Sequence, residues 1–534
     1  MVRPPIRNDR VGFSTFAWLR ATRDRVPNGA TLVNRVRERS VLHASLKHRQ
    51  HASRRGMCAN VRASHRRRAI THLYTSDTMS NSEDRIIHAG VIGTGQYATA
   101  IVTQAESIPN LEVSVIADLN IDAAHNAYQL AGIDEDRIVI AGSREAAISG
   151  MESGKKVVLE NADLMLDLPI DAIAEGTGST SAGARHAVKA IENGIHVVMV
   201  TKEVDICVGP ILRQMAQSAG VVYTAADGDQ PSHLISLINW SREIGLEVLC
   251  GGKFGEKQVF IDLPGKEIRY RKGETRDLSD QETDLFRHMN ASGPTLWETV
   301  EKRKAILSES IDVRTDDLTE QGIVANATGL SIERERFHHP VAWPTEMPYI
   351  LAPQAYGGIL EGRGIVEQTT YLKADTDTSM GGGVYVTVHA DNAYSREVLS
   401  GKGHIGNSDD TSYLIFRPYH LCGVETPYSI LSAGLRKTPT AGWNMTQTYD
   451  SFGRAKQDLP AGTELQGAHD DKWETFLAPA VKLTDQATYA PIPYHIATGT
   501  RLTRDVTAGT VLTQSMAEHV ADTALWKLRV SQDA

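Results

Sequence analysis

Residues 86–98 read Ile-Ile-His-Ala-Gly-Val-Ile-Gly-Thr-Gly-Gln-Tyr-Ala, a β-branched run that passes without a spacer into a glycine-rich turn. A strand followed at once by Gly93-Thr94-Gly95-Gln96-Tyr97-Ala98, and then by a helical pattern, is the context in which a GxGxxG/A sequence binds a dinucleotide. Gly93 serves the tight turn, Gly95 lets the backbone approach a pyrophosphate, and small Ala98 lets the helix pack closely on the strand. The N-terminus of that helix offers free N–H groups and a partial positive charge to the phosphates. An ordinary tight strand-to-helix turn would use the same glycines, so the surrounding sequence has to decide. It supplies Asp118, 25 residues beyond Gly93 and just after the apolar run 111–117. A carboxylate there accepts from both hydroxyls of an adenosine ribose. It also repels a 2′-phosphate, and no Arg follows in Asp118-Leu-Asn-Ile-Asp to compensate. The expected cofactor is NAD or NADP, leaning to NAD; the alternative is that Asp118 is only a solvated turn residue.

Downstream the alternation of short β-branched runs with helical stretches continues, as βαβ units and a parallel sheet require. Residues 137–141, 170–174, 195–201, 221–225 and 246–251 read as further strands, and 181–192 and 208–219 as crossover helices with apolar residues at three- and four-residue spacing. Gly194 is placed to stop the first of these helices. Ligands bind such sheets outside the carboxyl ends of the strands, so the residues ending each run are the candidates. Glu175-Gly176-Thr177-Gly178 lets a flat nicotinamide approach the backbone. Thr201-Lys202-Glu203 brings a lysine able to polarise a substrate oxygen and stabilise alkoxide charge. Gly228-Asp229-Gln230-Pro231 and Gly251-Gly252-Lys253 add an acid and a second lysine. Asp229 can orient Lys253 or transfer a proton if burial raises its affinity. Each has a plainer reading: the lysines as solvent-facing residues after strands, Asp229 as a helix N-cap before Pro231.

Beyond residue 263 the alternation fails, and the charged stretch to Ser310 is expected to hold helices and loops over the sheet. Short strands return at 364–372 and 383–389. Arg417, His420 and Glu425 form the densest polar cluster of this middle region. They suit either anion binding or a buried network tying it to the C-terminal module. His338-His339, ahead of Pro340, reads as a loop and not a metal site. Near the C-terminus Asp458-Leu-Pro-Ala-Gly-Thr-Glu-Leu465 recurs as Asp505-Val-Thr-Ala-Gly-Thr-Val-Leu512, offset by 47 residues. Each Ala-Gly-Thr is expected to turn between two short strands with its Gly at positive φ, which makes a pseudo-symmetric β module.

A chain of 534 residues exceeds one core. No run of eighteen apolar residues and no signal-peptide order occur, so a soluble, cytoplasmic body is expected. The net charge of −9 conceals a leader, residues 1–78, with 17 Lys+Arg against 4 Asp+Glu; the rest carries 39 against 61. A body that acidic does not suit nucleic acid. The leader reads as a disordered extension or a start assigned upstream of Met79, with an Arg-rich transit peptide as the alternative. Cys58, Cys207, Cys250 and Cys422 lie far apart without CxxC or Cys/His spacing, which argues for a reduced compartment, buried apolar thiols and no metal site.

Gly93-Thr-Gly95, Glu175-Gly-Thr-Gly178, the His196-Val-Val-Met-Val-Thr-Lys202 strand and Gly209-Pro210 together resemble the NAD-binding domain of homoserine dehydrogenase. Gly228-Asp-Gln-Pro231, Asn326-Ala-Thr-Gly329 and Arg417-Pro-Tyr-His-Leu421 with Glu425-Thr-Pro427 resemble the homoserine-dehydrogenase-like proteins with a C-terminal SAF domain. That group includes the 1-deoxy-D-xylulose 5-phosphate reductoisomerase-like enzymes. The resemblance covers most of residues 86–534. It implies an α/β chain with an NAD(P)-binding Rossmann domain (79–255), an α+β catalytic or substrate region (256–436) and a β-clip SAF-like module (437–534).

The reading that follows is hydride transfer between NAD(P) and the carbonyl or alcohol carbon of a small polar metabolite, phosphorylated or not. Lys202, Asp229 and Lys253 are the catalytic candidates, and Gly93, Thr94, Gly95, Gln96, Tyr97, Ala98, Asp118, Gly176, Thr177 and Gly178 hold the cofactor. A nucleotide sensor, and a lyase or isomerase with tightly held NAD, share these features. A homo-oligomer without membrane contact is the expected assembly.

Overall fold

Runs rich in Val, Ile and Ala, too apolar to leave either face in water, build a wholly parallel seven-stranded sheet covered by helices. The computed structural model describes residues 85–270, 273–290, 292–467 and 470–534, so the basic leader and Cys58 lie outside it. The strands are β1 (Ile87–Ile92), β2 (Leu111–Ala117), β3 (Ile138–Ile140), β4 (Lys156–Leu159), β5 (Ala172–Glu175), β6 (His196–Met199) and β7 (Tyr223–Ala225), in spatial order β3-β4-β2-β1-β5-β6-β7. The order reverses between β1 and β5, which puts the turns after both strands at the topological switch point. The expected strands and the Gln96–Ala105 helix are present. Asn193 ends the Thr180–Glu192 helix and Gly194 follows at φ +75°, as its stop signal requires.

Three local expectations are corrected. Residues 156–159 were not expected as a strand; β4 is only four residues long and wholly buried, too short to display a period. The helix after β6 begins at Lys202, six residues ahead of the expected start, because its first turn is acidic and polar and hides the apolar spacing. Residues 246–251 do not extend the parallel sheet but open a second one as β8 (Glu247–Phe254). Gly251 and Gly252 are interior to β8 and make no turn. A Cβ on Gly252 would sit 2.3 Å from the Tyr385 hydroxyl, and one on Gly251 2.9 Å from Ile238 Cδ1, so packing requires glycine at both.

The second sheet continues with β9 (Val259–Asp262), β10 (Glu267–Tyr270), β11 (Thr275–Asp277), β12 (Val341–Ala342), β13 (Ile365–Lys373), β14 (Val384–His389) and β15 (Tyr413–Arg417). Its order is β11-β10-β9-β13-β8-β14-β15, with β12 beside β13; β8 runs parallel to β13 and antiparallel to β14. The charged stretch to Ser310 holds β10 and β11 as well as the helices Asp280–Leu285 and Pro294–Leu307.

In the C-terminal part, β16 (Tyr449–Ala455) pairs with β17 (Trp473–Pro479). The internal repeat folds back on itself: Leu459 and Val506 exchange both backbone hydrogen bonds at 2.8 Å. Asp458 Oδ1 accepts from the Ala508 N–H and Asp505 Oδ1 from the Ala461 N–H, each at 2.8 Å. Gly462 and Gly509 have φ of +81° and +83°. Each copy therefore caps the turn of the other, as a two-fold arrangement demands. One apolar core runs from the parallel sheet (Ile173, Val197) through the Thr315–Thr328 helix (Leu318, Ile323) into this part of the chain (Leu477, Trp526). Among the described residues no helix is long and apolar enough to cross a membrane.

Candidate active site

Four turns at the carboxyl ends of β1, β5, β6 and β7 meet at one edge of the parallel sheet. A Cβ on Gly93, at φ +88°, would lie 2.6 Å from the Gly176 carbonyl oxygen, so the first two turns touch through backbone alone. The Gly178 N–H donates to Thr201 Oγ1 at 3.0 Å and joins the second turn to the third. Buried Glu175 accepts from the Thr177 hydroxyl at 2.7 Å and fixes the glycine loop from beneath.

This edge fits a dinucleotide. Gly95 and Gln96 are exposed, a Cβ on Gly95 would meet nothing within 4 Å, and no side chain caps the first turn of the Gln96–Ala105 helix. Its free N–H groups thus face open space, an arrangement that suits phosphates. Asp118 follows β2 and accepts from the Thr94 hydroxyl at 2.5 Å and from the Asn120 N–H at 2.7 Å. A carboxylate has about four acceptor positions, which leaves room for ribose hydroxyls. Tyr97 turns inward: its hydroxyl donates to the Asp227 carbonyl at 3.2 Å and accepts from Thr426 at 3.0 Å. Ala98 is buried against the sheet.

Lys202, the first residue of its helix, donates to Glu320 Oε1 at 2.5 Å, has Asp316 at 3.8 Å, and keeps 21% of its side chain exposed. Lys253, from β8, donates to Asp317 Oδ1 at 2.7 Å and to Glu320 Oε2, with only 1% of its side chain exposed. Glu320 therefore bridges the two lysines, Lys202 on the open side and Lys253 behind. Burial alone would lower the Lys202 ammonium, but the carboxylates of Glu320, Asp229, Asp316 and Glu203 outweigh it and hold it well above its ordinary range. Burial opposes ionisation of Glu320 and Asp317 too; Lys202 and Lys253 keep Glu320 below its ordinary value, and Lys253 with Arg314 brings Asp317 to about 2. Burial pushes Asp229 up, Glu320 adds to the rise, and Lys202 and His420 oppose it. Glu203 is raised by burial to about 7 against the pull of Lys202.

Asp229 is the N-cap of the Gln230–Glu243 helix, accepting from the Gln230 N–H at 2.9 Å. It shares an electrostatic neighbourhood with Lys202, whereas the partners of Lys253 are Asp317 and Glu320. The acids that organise both lysines were missed in the sequence. Their signal is Asp316-Asp317-Leu-Thr-Glu320, whose three- and four-residue spacing sets the carboxylates on one helical face. Buried His495 of the C-terminal region also reaches this helix, bonding Thr319 Oγ1 at 2.8 Å; burial and the Lys202 charge lower it to about 4.

Arg417, His420 and Glu425 do not tie the middle region to the C-terminal module. Arg417 and Glu425 pair with each other and with His233, whose Nε2 also lies 3.1 Å from the Gly228 nitrogen, so the link runs to the Asp229 turn. His420 bonds the Gly382 carbonyl at 2.6 Å. The 421–425 loop rests on the Gln96–Ala105 helix, where a Cβ on Gly423 would lie 2.1 Å from the Tyr97 carbonyl oxygen. Beside this loop a cleft of about 850 Å³ is lined by His233, Trp240, Arg417, Glu425 and Tyr428. His338 and His339 lie in a loop, His339 at φ +52°. Among the described residues no group of His, Cys, Asp and Glu has metal-binding geometry. Cys207 and Cys250 are buried as expected, but Cys422 is exposed.

Residues 228–426 match the family described as "Oxidoreductase DRL, catalytic domain". Among curated proteins none matches the chain. Of the solved structures, apo scyllo-inositol dehydrogenase from Lactobacillus casei aligns at 15% identity over 34% of this chain and 48% of its own, with a TM-score of 0.23. Myo-inositol dehydrogenase from the same organism, in complex with NAD(H) and myo-inositol, aligns at 12% identity over 36% and 66%, TM-score 0.23. An NAD-binding protein from Listeria innocua aligns at 18% over 33% and 47%, TM-score 0.22. The chain thus spans about half the length of the first of these structures that it matches.

Proposed function

We propose that this protein is an NAD(P)-dependent oxidoreductase that transfers a hydride to or from the carbonyl or alcohol carbon of a small polar metabolite. The observation that carries the reading is Lys202, a partly exposed ammonium held against Glu320 at the sheet edge that also bears the Gly93–Gly95 turn. The match of residues 228–426 to an oxidoreductase catalytic domain supports it. Gly93–Ala98 and Gly176–Gly178 would hold the dinucleotide, and Asp118 favours NAD over NADP. The bound nicotinamide supplies or accepts the hydride.

The protein's own groups do the rest. Lys202 stays protonated under its carboxylate neighbours and donates to the substrate oxygen, where it stabilises developing alkoxide charge. Asp229, pushed up by burial beside Lys202, gives or takes the proton that balances the change at that oxygen. Lys253 is too deeply buried to touch substrate; it is a positioning residue that neutralises Asp317 and the far oxygen of Glu320, leaving the near oxygen to aim Lys202. We assign the finer likeness, to homoserine-dehydrogenase-like and reductoisomerase-like enzymes with an SAF-type module, on the motifs named above, and the reciprocally capped C-terminal repeat supports the SAF part.

Lys202→Ala tests the reading. Turnover of small hydroxy, keto and phosphosugar metabolites should fall by about 10²-fold or more, while NADH affinity, followed by fluorescence, persists. A variant with full turnover would overturn the role of Lys202.

A further inference from the structure

The helix that begins at Lys202 cannot complete its own hydrogen bonds. Pro210 lies inside it and has no N–H, so the Ile206 carbonyl has no partner one turn on. Val208 leaves helical geometry, at φ −138° and ψ 16°, between the Cys207 carbonyl and the Ile211 N–H that stand one turn apart. All three groups have side-chain partners from the C-terminal part of the chain. Gln447 Nε2 donates to the Ile206 carbonyl at 2.9 Å, Arg529 Nη1 donates to the Cys207 carbonyl at 3.0 Å, and Gln532 Oε1 accepts from the Ile211 N–H at 3.0 Å.

These three side chains are themselves locked. Gln532 Nε2 donates to Gln447 Oε1 at 3.0 Å. Arg529 is fully buried, forks onto both oxygens of Asp450 at 3.0 and 2.8 Å, and reaches Asp533 through Nε at 3.1 Å. The kink also abuts the helix bearing Glu320: a Cβ on Gly322 would lie 2.6 Å from Ile206 Cδ1. A shift at residues 206–208 therefore moves Lys202, one turn earlier, relative to Glu320.

We infer that Arg529 and Gln532, in the last turns of the Ala524–Asp533 helix, are positioning residues for Lys202. They hold the Cys207 carbonyl and the Ile211 N–H at the Val208 kink, as Gln447 holds the Ile206 carbonyl that Pro210 leaves without a donor, and so set the lysine against Glu320. The inference rests on the reading of Lys202 as the group that polarises substrate, yet its geometric part is testable without turnover.

The test is competitive acetylation of the full chain with trace acetic anhydride at pH 8, followed by peptide mapping, on the parent, Gln532→Ala and Gln532→Glu. Glu keeps the acceptor for the Ile211 N–H and gives up only the donor to Gln447 Oε1, whereas Ala removes both. Lys202 released from Glu320 has a lower proton affinity, and its acetylation should rise roughly three- to tenfold in Gln532→Ala. It should stay at the parent level in Gln532→Glu, with Lys253 unchanged in both. Equal Lys202 reactivity in the parent and in folded Gln532→Ala, or an equal rise in both variants, would overturn the inference. Lys202→Ala assayed in parallel separates the two ideas: its full activity sinks the catalytic reading but leaves the labelling result standing as geometry.

Discussion

Replacing Lys253 with Met keeps the unbranched stem and removes only the charge, which isolates the electrostatic centre of the site. Lys253 is 1% exposed, and its partners Asp317 and Glu320 are 4% and 6% exposed, so solvent does little to replace it. Asp317 is held at about 2 where an ordinary Asp titrates at 3.8, a difference worth about 2 to 3 kcal/mol at neutral pH. Deleting one partner of a buried pair costs about 3 to 5 kcal/mol, and the larger figure includes the far oxygen of Glu320, whose near oxygen keeps Lys202. The assay is urea unfolding of parent and variant, with the loss read as a lower midpoint at unchanged slope. Because the folded carboxyl is depressed, its contribution is complete above the unfolded value near pH 4 and disappears as pH falls towards about 2. The gap between parent and Lys253→Met should therefore be widest at pH 7 and narrow as acid protonates the stranded carboxylates. Adding Asp317→Asn to the variant should recover part of the loss. A Lys253→Met protein within about 1 kcal/mol of the parent at pH 7 would refute the view that the lysine sustains two buried carboxylates.

Asp118→Ala should weaken NADH binding about tenfold, by the loss of charge-assisted ribose contacts, and leave NADPH binding no weaker; fluorescence titration with both nucleotides checks this, and unchanged NADH affinity contradicts it. Gly423→Ala puts a Cβ against the Tyr97 carbonyl at a residue with φ +74°, so hydrogen exchange in the 417–426 loop should accelerate at a cost of about 1 to 3 kcal/mol. Parent-like exchange there would mean the loop does not depend on its seat against the Gln96–Ala105 helix. Asp458→Ala and Asp505→Ala should each lower stability by about 1 kcal/mol and by similar amounts. A loss confined to one of them in thermal melts would break the proposed two-fold equivalence.

The edge of glycine turns was legible because its signals are local. The β1 run, the Gly93–Ala98 turn, the stop at Gly194 and the Asp229 cap before Pro231 each act within a few residues of themselves. The same holds for the C-terminal repeat, whose Asp-x-x-Ala-Gly-Thr copies announced their turns. β4 and the start of the Lys202 helix were lost because a short buried strand and a polar first turn carry no period.

The sequence by itself determined the parallel sheet, the glycine turns and the presence of Lys202 and Lys253 near strand ends. Backbone sterics and hydrophobic periodicity operate at short range, and all of these depend on nothing more. Tertiary structure decided what the lysines do. Glu320 meets Lys202 across 118 residues of chain and Lys253 across 67, and Arg529 closes a helix kink 322 residues away. It also moved β8 into a second sheet and buried Lys253 behind Glu320. Ion pairs and orphaned backbone groups are satisfied by whatever the fold brings near, and a linear pattern does not say which distant residue that is.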